Sequence, residues 1–406
     1  MKRFLFVVPP LMGHVNPTLS IGKALLERGH DVAWLSVDAE LELIIPTGGK
    51  YFDVASYYHL NVDQPEYITY KDRISTKNIL GIESVKFLYE EVLIPLNRYM
   101  YKAIVFCVDK FKPDVIINDQ QLFSAAIVAK QQAIKYASSV TAPAAVKMQQ
   151  DLPGVSQWED NQITSLQKEL NLNGEQSVAC SEQLTLIYTT EAFFGDMILA
   201  PGYKFVGLSI ADRPTAYSFD WESFYKQPFK RKVLVSIGTT FDHNFKRDFF
   251  SKIIAALGNK ELTVVVVSEP DLVDFWPSNF IVSKKIPQLD LLPLMDAVIC
   301  HGGHNTVCET LMHGIPLVVV PIAYDQSYVA GRVVATGCGL RLNYKRFKAN
   351  QLSDALAQIL TQPNFKKAAH QLKGSFEKCG GAALAADLLE AYARNNSDKP
   401  VNKITI

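Results

Sequence analysis

Two histidines of this sequence follow short apolar runs, and each has neighbours that can assist it in chemistry. His14 stands in PPLMGHVNP, residues 9–17, directly after the run FLFVV. An unperturbed imidazole titrates at about pH 6.5, so a histidine that faces a cleft can act as a general base at neutral pH. Asp119 follows the run VIIN and can fix the tautomer of that imidazole. A solvated loop histidine and an N-cap aspartate are the alternatives.

The second histidine opens a glycine-rich turn in AVICHGGHNTVCE, residues 297–309. Two glycines there, the second of them Gly303, bring bare backbone close to a ligand, and the first N–H groups of the following helix form an anion site. A diphosphate suits such a site, which would include His301. In the alternative interpretation the turn is purely structural, with Asn305 and Thr306 as helix caps and the histidine incidental.

Two more positions carry groups that suit a nucleotide. Glu309 follows Asn305 by one helical turn, where its carboxylate can reach ribose hydroxyls or simply face solvent at a favourable end of the helix dipole. The segment SIGTT, residues 236–240, ends an apolar run with the hydroxyls of Thr239 and Thr240. These hydroxyls suit phosphate oxygens and serve equally well as ordinary caps.

A carboxylate and an amide stand side by side at the end of PIAYDQ, residues 321–326. Asp325 and Gln326 can together hold neighbouring sugar hydroxyls. The histidines and carboxylates lack zinc spacing and no DxD pair occurs, so no metal site is predicted. The phosphate loops GxxxxGKS/T and GxGxxG are also missing from the first turn, which argues against ATP hydrolysis and NAD-linked hydride transfer.

Composition narrows the class of protein further. Lys plus Arg (41) equals Asp plus Glu (41), so no overall field attracts nucleic acid, and 48% hydrophobic content with 20% charge is typical of a soluble globular chain. No uncharged apolar run is long enough for a membrane span, and peripheral membrane contact is left open. Six cysteines without a CxxC pair fit a reducing compartment, so we expect a cytoplasmic protein.

The elements that must position these residues alternate between apolar runs and helical periodicity, a pattern typical of parallel sheets covered by helices. Two such series are separated by a stretch of mixed polarity, where we place a linker at 211–230. Strands are predicted at 4–8, 31–37, 115–118, 184–188, 232–236, 262–267, 297–300 and 317–320, and helices at 83–106, 122–135, 352–360, 365–376 and 382–392, with Pro17 in the first turn of another. Ligands of open α/β sheets bind beyond the carboxyl ends of the strands, which is where the turns above lie.

From Ile286 to Gly339 the segments IPQLDLL, HGGHNTVCETLMHGIPLVVVP, DQ and GCG follow one another, and GHVNP and SIGTT precede them. In order and spacing they resemble the inverting, nucleotide-sugar-dependent glycosyltransferases of the UDP-glycosyltransferase family. That family includes bacterial macrolide and carotenoid glycosyltransferases. The resemblance implies an α/β GT-B fold, in which two Rossmann-like domains face each other across a cleft. It implies an acceptor domain at 1–210, a nucleotide-sugar domain at 231–381, and a final segment, 382–406, whose helix crosses back to the first domain.

The resemblance also assigns roles to matching positions. It implies that His14 is the base that deprotonates the acceptor, with Asp119 as its partner. On the donor side it places His301, Thr239, Asn305 and Thr306 at the diphosphate, Gln288 by the nucleobase, Glu309 on the ribose, and Asp325 with Gln326 on the sugar.

Two departures from the family pattern bear on the nucleotide of the donor and on the kind of organism that the protein comes from. Lys285 stands where the family usually has a tryptophan that stacks on uracil, which weakens the distinction between UDP and dTDP, and Glu309 favours UDP. His304 replaces the tryptophan of many plant members, which favours a bacterial type. Residues 51–101 are rich in Tyr and Phe and can line an apolar acceptor pocket, although most are expected to pack in the core.

The expected activity is therefore an inverting, metal-independent transfer of a hexose from a UDP-sugar or dTDP-sugar to a nucleophile, most simply a hydroxyl, of a lipophilic natural product such as a terpenoid, polyketide, phenolic or carotenoid. No cofactor beyond the nucleotide sugar is expected. Two alternatives stay open: a sugar-nucleotide epimerase of the same architecture, and an inactive relative that serves as an auxiliary protein.

Overall fold

The computed structural model describes residues 1–60, 82–197, 199–210, 219–238 and 243–395. Within these ranges the strands form two wholly parallel sheets, one in the order β3-β2-β1-β4-β5-β6-β7 and one in the order β10-β9-β8-β11-β12-β13. The strands are β1 Arg3–Val7, β2 Asp31–Ser36, β3 Lys50–Asp53, β4 Val115–Asp119, β5 Lys135–Val140, β6 Thr185–Ile187, β7 Tyr203–Phe205, β8 Lys232–Ser236, β9 Thr263–Val267, β10 Phe280–Ser283, β11 Ala297–Cys300, β12 Leu317–Val319 and β13 Gly339–Arg341.

Helices cover both faces of the sheets. They are α1 Met12–Glu27, α2 Val54–Leu60, α3 Ile82–Phe87, α4 Ile94–Phe111, α5 Phe123–Gln131, α6 Ala144–Asp151, α7 Pro153–Glu169, α8 Glu191–Phe194, α9 Trp221–Lys226, α10 His243–Leu257, α11 Gln288–Leu291, α12 His304–Met312, α13 Gln326–Ala335, α14 Ala349–Thr361, α15 Pro363–Glu377 and α16 Gly381–Arg394. A π-helical turn, Leu88–Leu93, joins α3 to α4. The predicted α/β class with two parallel sheets is confirmed.

The strands predicted from apolar runs are present, with ends that differ by at most one residue. Five strands were not predicted: β3, β5, β7, β10 and β13. Four of these five are edge strands, which bury fewer side chains and carry a weaker apolar pattern, and β5 reads KYASSV, with small polar residues inside a sheet. The helix predicted over 122–135 ends at Gln131 because the chain turns there to enter β5.

The first sheet is packed on two sides. Leu5 and Val7 face the helices α4 and α5, whereas Phe4 and Phe6 face α1 and the last helix, α16. Through Leu388 and its neighbours α16 is part of this first core, so the chain does cross back to the first domain, as the resemblance implied. The first sheet spans residues 3–205 and the second 232–341, and the predicted boundaries 1–210, 211–230, 231–381 and 382–406 stay predictions.

The segment predicted as a linker is partly structured. Residues 211–218 lie outside the described ranges, but α9 follows them, and Phe219 and Phe224 are buried in the core of the second domain. The end of the supposed linker therefore packs as part of the second domain.

A lysine of the first sheet holds the end of α16. Lys135 Nζ donates to the main-chain oxygens of Tyr392 (2.9 Å), Ala393 (3.4 Å) and Asn395. The last carbonyls of a helix have no partner within the helix, and a cation there also opposes the negative end of the helix dipole.

We predict that Lys135→Met lowers the free energy of unfolding by about 2 kcal/mol, because hydrogen bonds from a charged donor are lost and partly buried carbonyls are left unpaired. Urea unfolding followed by circular dichroism measures the change. Lys130→Met, at an exposed position of α5, is the matched control and should stay within about 0.5 kcal/mol of the wild type. Equal stability of the two variants would show that the cap contributes nothing.

Candidate active site

His14 and Asp119 meet at the carboxyl edge of the first sheet. The Nδ1 atom of His14 lies 2.8 Å from Oδ2 of Asp119, the carboxylate is wholly buried, and the imidazole is 13% exposed. An ionised carboxylate in this position accepts the Nδ1 proton, which leaves the lone pair of Nε2 available to take a proton. The two residues are therefore arranged as a base and the group that orients it.

The local structure around His14 and around Asp119 differs from the prediction. Helix α1 begins at Met12, so His14 lies in its first turn rather than in a loop, and Pro17 lies inside the helix rather than in the first turn. Asp119 is the last residue of β4, and its Oδ1 accepts a hydrogen bond from the Gln121 amide at 2.9 Å. The N-cap of α5 is Leu122, so the alternative interpretation of Asp119 as an N-cap is wrong.

Thr141 is a third member of this cluster, which the sequence analysis missed. Its Oγ1 atom lies 2.8 Å from Nδ1 of His14, and the residue is buried. It follows β5, the neighbour of β4, and the carboxyl ends of neighbouring parallel strands lie together. The position went unnoticed because β5, the strand that precedes Thr141, carries small polar residues and was not predicted.

His301 follows β11 in the second domain and is tightly enclosed. A Cβ atom at Gly238 would lie 2.8 Å from the ring, and one at Gly303 would lie 2.6 Å from Nε2, so only glycine fits at either position. Burial lowers the pKa of His301 to about 4, against the opposing effect of a hydrogen bond with the Ser236 backbone. The imidazole is therefore neutral at pH 7 in the protein without ligand.

The helix after this turn begins without a side-chain cap. The N-cap of α12 is Gly303, which has no side chain, so the interpretation of Asn305 and Thr306 as caps is wrong. Asn305 instead crosses between the domains, where its Nδ2 donates to the carbonyl oxygen of Gly13 at 2.6 Å. The backbone N–H groups of the first turn of α12 thus remain suited to an anion.

Gln288 and Glu309, predicted separately for the nucleobase and the ribose, are direct partners. The Nε2 atom of Gln288 donates to Oε2 of Glu309 at 2.6 Å, and Glu309 is 3% exposed. The amide restrains the carboxylate, so the two side chains form one polar unit beside α12.

Asp325 and Gln326 differ in how much they can offer a sugar. Burial raises the pKa of Asp325 to about 6, and the nearby His14 of the first domain acts in the opposite direction. The Oε1 atom of Gln326 accepts the backbone N–H groups of Ile322 (2.9 Å) and Ala323 (3.0 Å). Only the amide NH₂ group of Gln326 is therefore suited to a sugar hydroxyl. The predicted role of Gln326 in holding the sugar is narrowed to that of a hydrogen-bond donor.

The two turns that bear His14 and His301 border the same gap between the domains. Besides the bond from Asn305 to Gly13, the N–H of Tyr324 donates to Ser84 Oγ at 3.3 Å. His14 also lowers the pKa of Asp325 electrostatically, because the two side chains lie near each other across this gap. Thr239 lies outside the described residues, so its predicted place at the diphosphate stays a prediction.

Other expectations concern the surroundings. Most of the aromatic residues of the described part of 51–101 pack in the first core, for example Tyr58 against Tyr99, whereas Met12, two residues before His14, is half exposed. No described helix is long and apolar enough to cross a membrane. Nor do the described ranges contain three His, Cys, Asp or Glu side chains grouped to hold a metal ion.

Comparisons with known proteins agree with this arrangement. Residues 198–376 match the family model described as UDP-glucoronosyl and UDP-glucosyl transferase. The chain is 25% identical over 406 residues to the NDP-glycosyltransferase YjiC of Bacillus subtilis (strain 168), covering 96% of each chain. The structure of the spinosyn forosaminyltransferase SpnP superimposes with a TM-score of 0.74 at 16% identity, over 97% of this chain and 100% of that one. The glycotransferase of kitacinnamycin gives 0.71 at 22% identity, over 96% and 98%.

Two α/β domains, each built on a parallel sheet, with a polar cleft between them define a GT-B enzyme. The chain is a glycosyltransferase, and its residues 198–376 are similar to the UDP-glucoronosyl and UDP-glucosyl transferase family.

We predict that Thr141→Val lowers kcat by about 5-fold, because the hydroxyl oxygen that shares the Nδ1 proton of His14 with Asp119 is lost while the volume of the side chain is kept. Steady-state kinetics of glycosyl transfer measures the change. Thr361→Val, on the exposed side of α14, removes a comparable hydroxyl away from the cleft and should leave kcat unchanged. Equal kcat values for the two variants would contradict a role for Thr141.

The buried histidines also predict acid sensitivity. Burial lowers the pKa of both His301 and His304 to about 4, so these groups stay neutral in the folded protein while the unfolded chain takes up protons below about pH 6.5. Their stabilisation is complete above pH 6.5 and falls as the pH drops toward 4, by about 2 kcal/mol per histidine between pH 7 and pH 5. Urea unfolding at these two pH values measures it, and His304→Gln should remove about half of the histidine-dependent loss. An unchanged pH dependence in that variant would refute the assignment.

Proposed function

We propose that this enzyme transfers a hexose from a nucleoside diphosphate sugar to a hydroxyl of a lipophilic small molecule, with inversion at the anomeric carbon and without a metal ion. UDP-sugars are the favoured donors and dTDP-sugars the alternative. The observation that carries the proposal is the placement of His14, held by Asp119, across one gap from the turn that contains His301.

The base would act first. An acceptor hydroxyl hydrogen-bonded to Nε2 of His14 loses its proton as its oxygen attacks the anomeric carbon. The bond to Asp119 stabilises the imidazolium that forms. Because the nucleophile comes from the first domain and the leaving group is held by the second, attack occurs from the face opposite the diphosphate and the configuration inverts.

The leaving diphosphate gains negative charge as the sugar departs. The uncapped first turn of α12 supplies backbone N–H groups and the positive end of a helix dipole at this place. His301 lies in the same turn, and a diphosphate beside it would favour the protonated imidazole, in opposition to burial. These groups can stabilise the charge that a divalent cation stabilises in other enzymes.

The remaining donor groups would fix the sugar and the nucleoside. Glu309, whose Oε2 atom is restrained by Gln288, would bind the ribose through its carboxylate, which supports a UDP-sugar because uridine carries both ribose hydroxyls. The Asp325 carboxylate and the Gln326 NH₂ group are placed for hydroxyls of the hexose. Lys285 offers no aromatic platform for the base, so the sugar and ribose contacts would carry more of the donor selectivity.

Two observations support a lipophilic acceptor. Met12, the first residue of the helix that bears His14, exposes half of its apolar side chain. Two of the structural neighbours, the spinosyn forosaminyltransferase and the glycotransferase of kitacinnamycin, are named after natural products.

The activity test is a panel of UDP- and dTDP-sugars with and without mixed hydrophobic acceptors, with EDTA present in a parallel series. We expect nucleotide release that depends on the acceptor, survives EDTA and yields a product of inverted anomeric configuration by NMR. Isomerised sugar nucleotide without transfer would indicate an epimerase. Absence of both reactions across the panel would support an auxiliary protein instead.

We predict that His14→Ala lowers kcat by about 10²–10⁴-fold, because general-base catalysis is lost, while the Kd for UDP changes by less than about 3-fold. Transfer kinetics and isothermal titration calorimetry separate the two effects. His370→Ala, an exposed histidine of α15, is the control and should match the wild type in both measurements. Turnover close to that of the wild type in His14→Ala would remove this residue from the mechanism.

A further inference from the structure

A proline interrupts the hydrogen-bond ladder of the helix that bears the base. In an α-helix the N–H of residue 17 donates to the carbonyl of residue 13, and Pro17 has no N–H. The Gly13 carbonyl, which belongs to the peptide immediately before His14, therefore loses its regular helical donor. A carbonyl in a partly buried position needs a replacement partner.

The replacement comes from the other domain. Asn305, in the first turn of α12, donates from Nδ2 to the Gly13 oxygen at 2.6 Å. The absence of a side chain at residue 13 allows this approach, because a Cβ atom there would lie 3.2 Å from the same nitrogen. The contact links the peptide beside the base to the helix beside the donor site.

We propose that Asn305 is a positioning residue that holds the Gly13–His14 peptide. The base then takes its working position only when the two domains are closed on each other. The inference rests on the proposed function in treating His14 as the base. It gives Asn305 a role other than contact with the diphosphate, and it makes deprotonation of the acceptor depend on closure of the donor domain.

The second polar atom of the same amide supports this assignment. Oδ1 of Asn305 is buried and has no hydrogen-bond partner among the residues that the structure describes. Since Nδ2 donates to a carbonyl, Oδ1 is an acceptor, and the oxygens of an ionised diphosphate have no hydrogen to give it. Oδ1 is thus suited to a ligand hydroxyl rather than to phosphate, whereas the N–H groups of α12 and the second hydrogen of Nδ2 are suited to the diphosphate.

Two substitutions remove the donor at residue 305. Asn305→Asp keeps the shape but sets a carboxylate oxygen against the Gly13 carbonyl, and Asn305→Ala removes the group. We expect kcat to fall by about 10- to 100-fold in both variants, as for a misplaced catalytic group, while the Kd for UDP in calorimetry changes by less than about 3-fold. Weakened UDP binding with an unchanged kcat would instead make Asn305 a donor ligand and overturn the proposal.

The proline offers a sharper test. Pro17→Ala restores an N–H that can donate to Gly13 from within α1, so the helix then depends less on Asn305. In the Pro17→Ala background we expect Asn305→Ala to lower kcat by less than about 3-fold. Additive effects of the two substitutions would show that they do not act through the same carbonyl, and would overturn the proposal.

A control separates positioning from general contact between the domains. Thr190 Oγ1 and Ser375 Oγ also pair across the domains, at 3.0 Å, and Ser375→Ala removes that bond at a place unrelated to His14. We expect Ser375→Ala to keep the wild-type kcat. A loss equal to that of Asn305→Ala would mean that any contact between the domains has the same effect, and would overturn the proposal.

A readout without turnover keeps the inference distinct from the proposed function. The ¹⁵N chemical shifts of the His14 ring report its hydrogen bonding, and we expect them to change in Asn305→Ala and not in Ser375→Ala. If the wild type shows no transfer with any donor, the proposed function fails, and these shifts still decide whether Asn305 positions the histidine. Unchanged shifts in Asn305→Ala would overturn the inference by themselves.

Discussion

The buried carboxylate of Asp119 is the constraint on which the rest of the site depends. A charge removed from water is tolerated only when hydrogen bonds surround it, and here the His14 ring and the Gln121 amide supply them. This requirement sets the tautomer of the imidazole and directs Nε2 away from the carboxylate. It also explains why the cluster forms where β4 and β5 end together, because only there can Thr141 contact the same nitrogen.

The turn that bears His301 follows a different principle, because its histidine is enclosed by backbone. His301 is wedged between the backbones of Gly238 and Gly303 and is kept neutral by burial, so the free enzyme holds no fixed positive side chain at this turn. Attraction for an anion then comes from the backbone N–H groups of α12, whose direction is set by the fold.

The domains are joined by contacts on both sides of the cleft. Away from the catalytic residues, Arg332 Nε donates to the Phe193 oxygen at 2.8 Å and the Gly381 amide donates to Val206 at 2.8 Å. Helix α16 anchors the end of the chain in the first core. The cross-domain contacts of Gly13 and Ser84 lie at the cleft, whereas the others join the domains elsewhere.

The local sequence was sufficient for several features. Long apolar runs fixed the interior strands, since such runs cannot face water, and glycines beside His301 marked a turn in which backbone approaches a ring or ligand. Edge strands and β5 went unrecognised because their side chains are only partly buried or are polar. The place where α1 begins was also misjudged, because Pro17 suggested a first turn while the helix starts five residues earlier.

The sequence alone determined which chemical groups follow which strands. It did so because an apolar strand and the polar turn after it are adjacent in the chain and can be recognised together. Tertiary structure decided which of these groups touch. Thr141 reaches His14 only because β5 lies beside β4, and Gln288 reaches Glu309 only through the packing of α11 on α12. Asn305 meets Gly13 across 292 positions of the chain, a contact that no local pattern encodes since it depends on how two separately folded domains are joined.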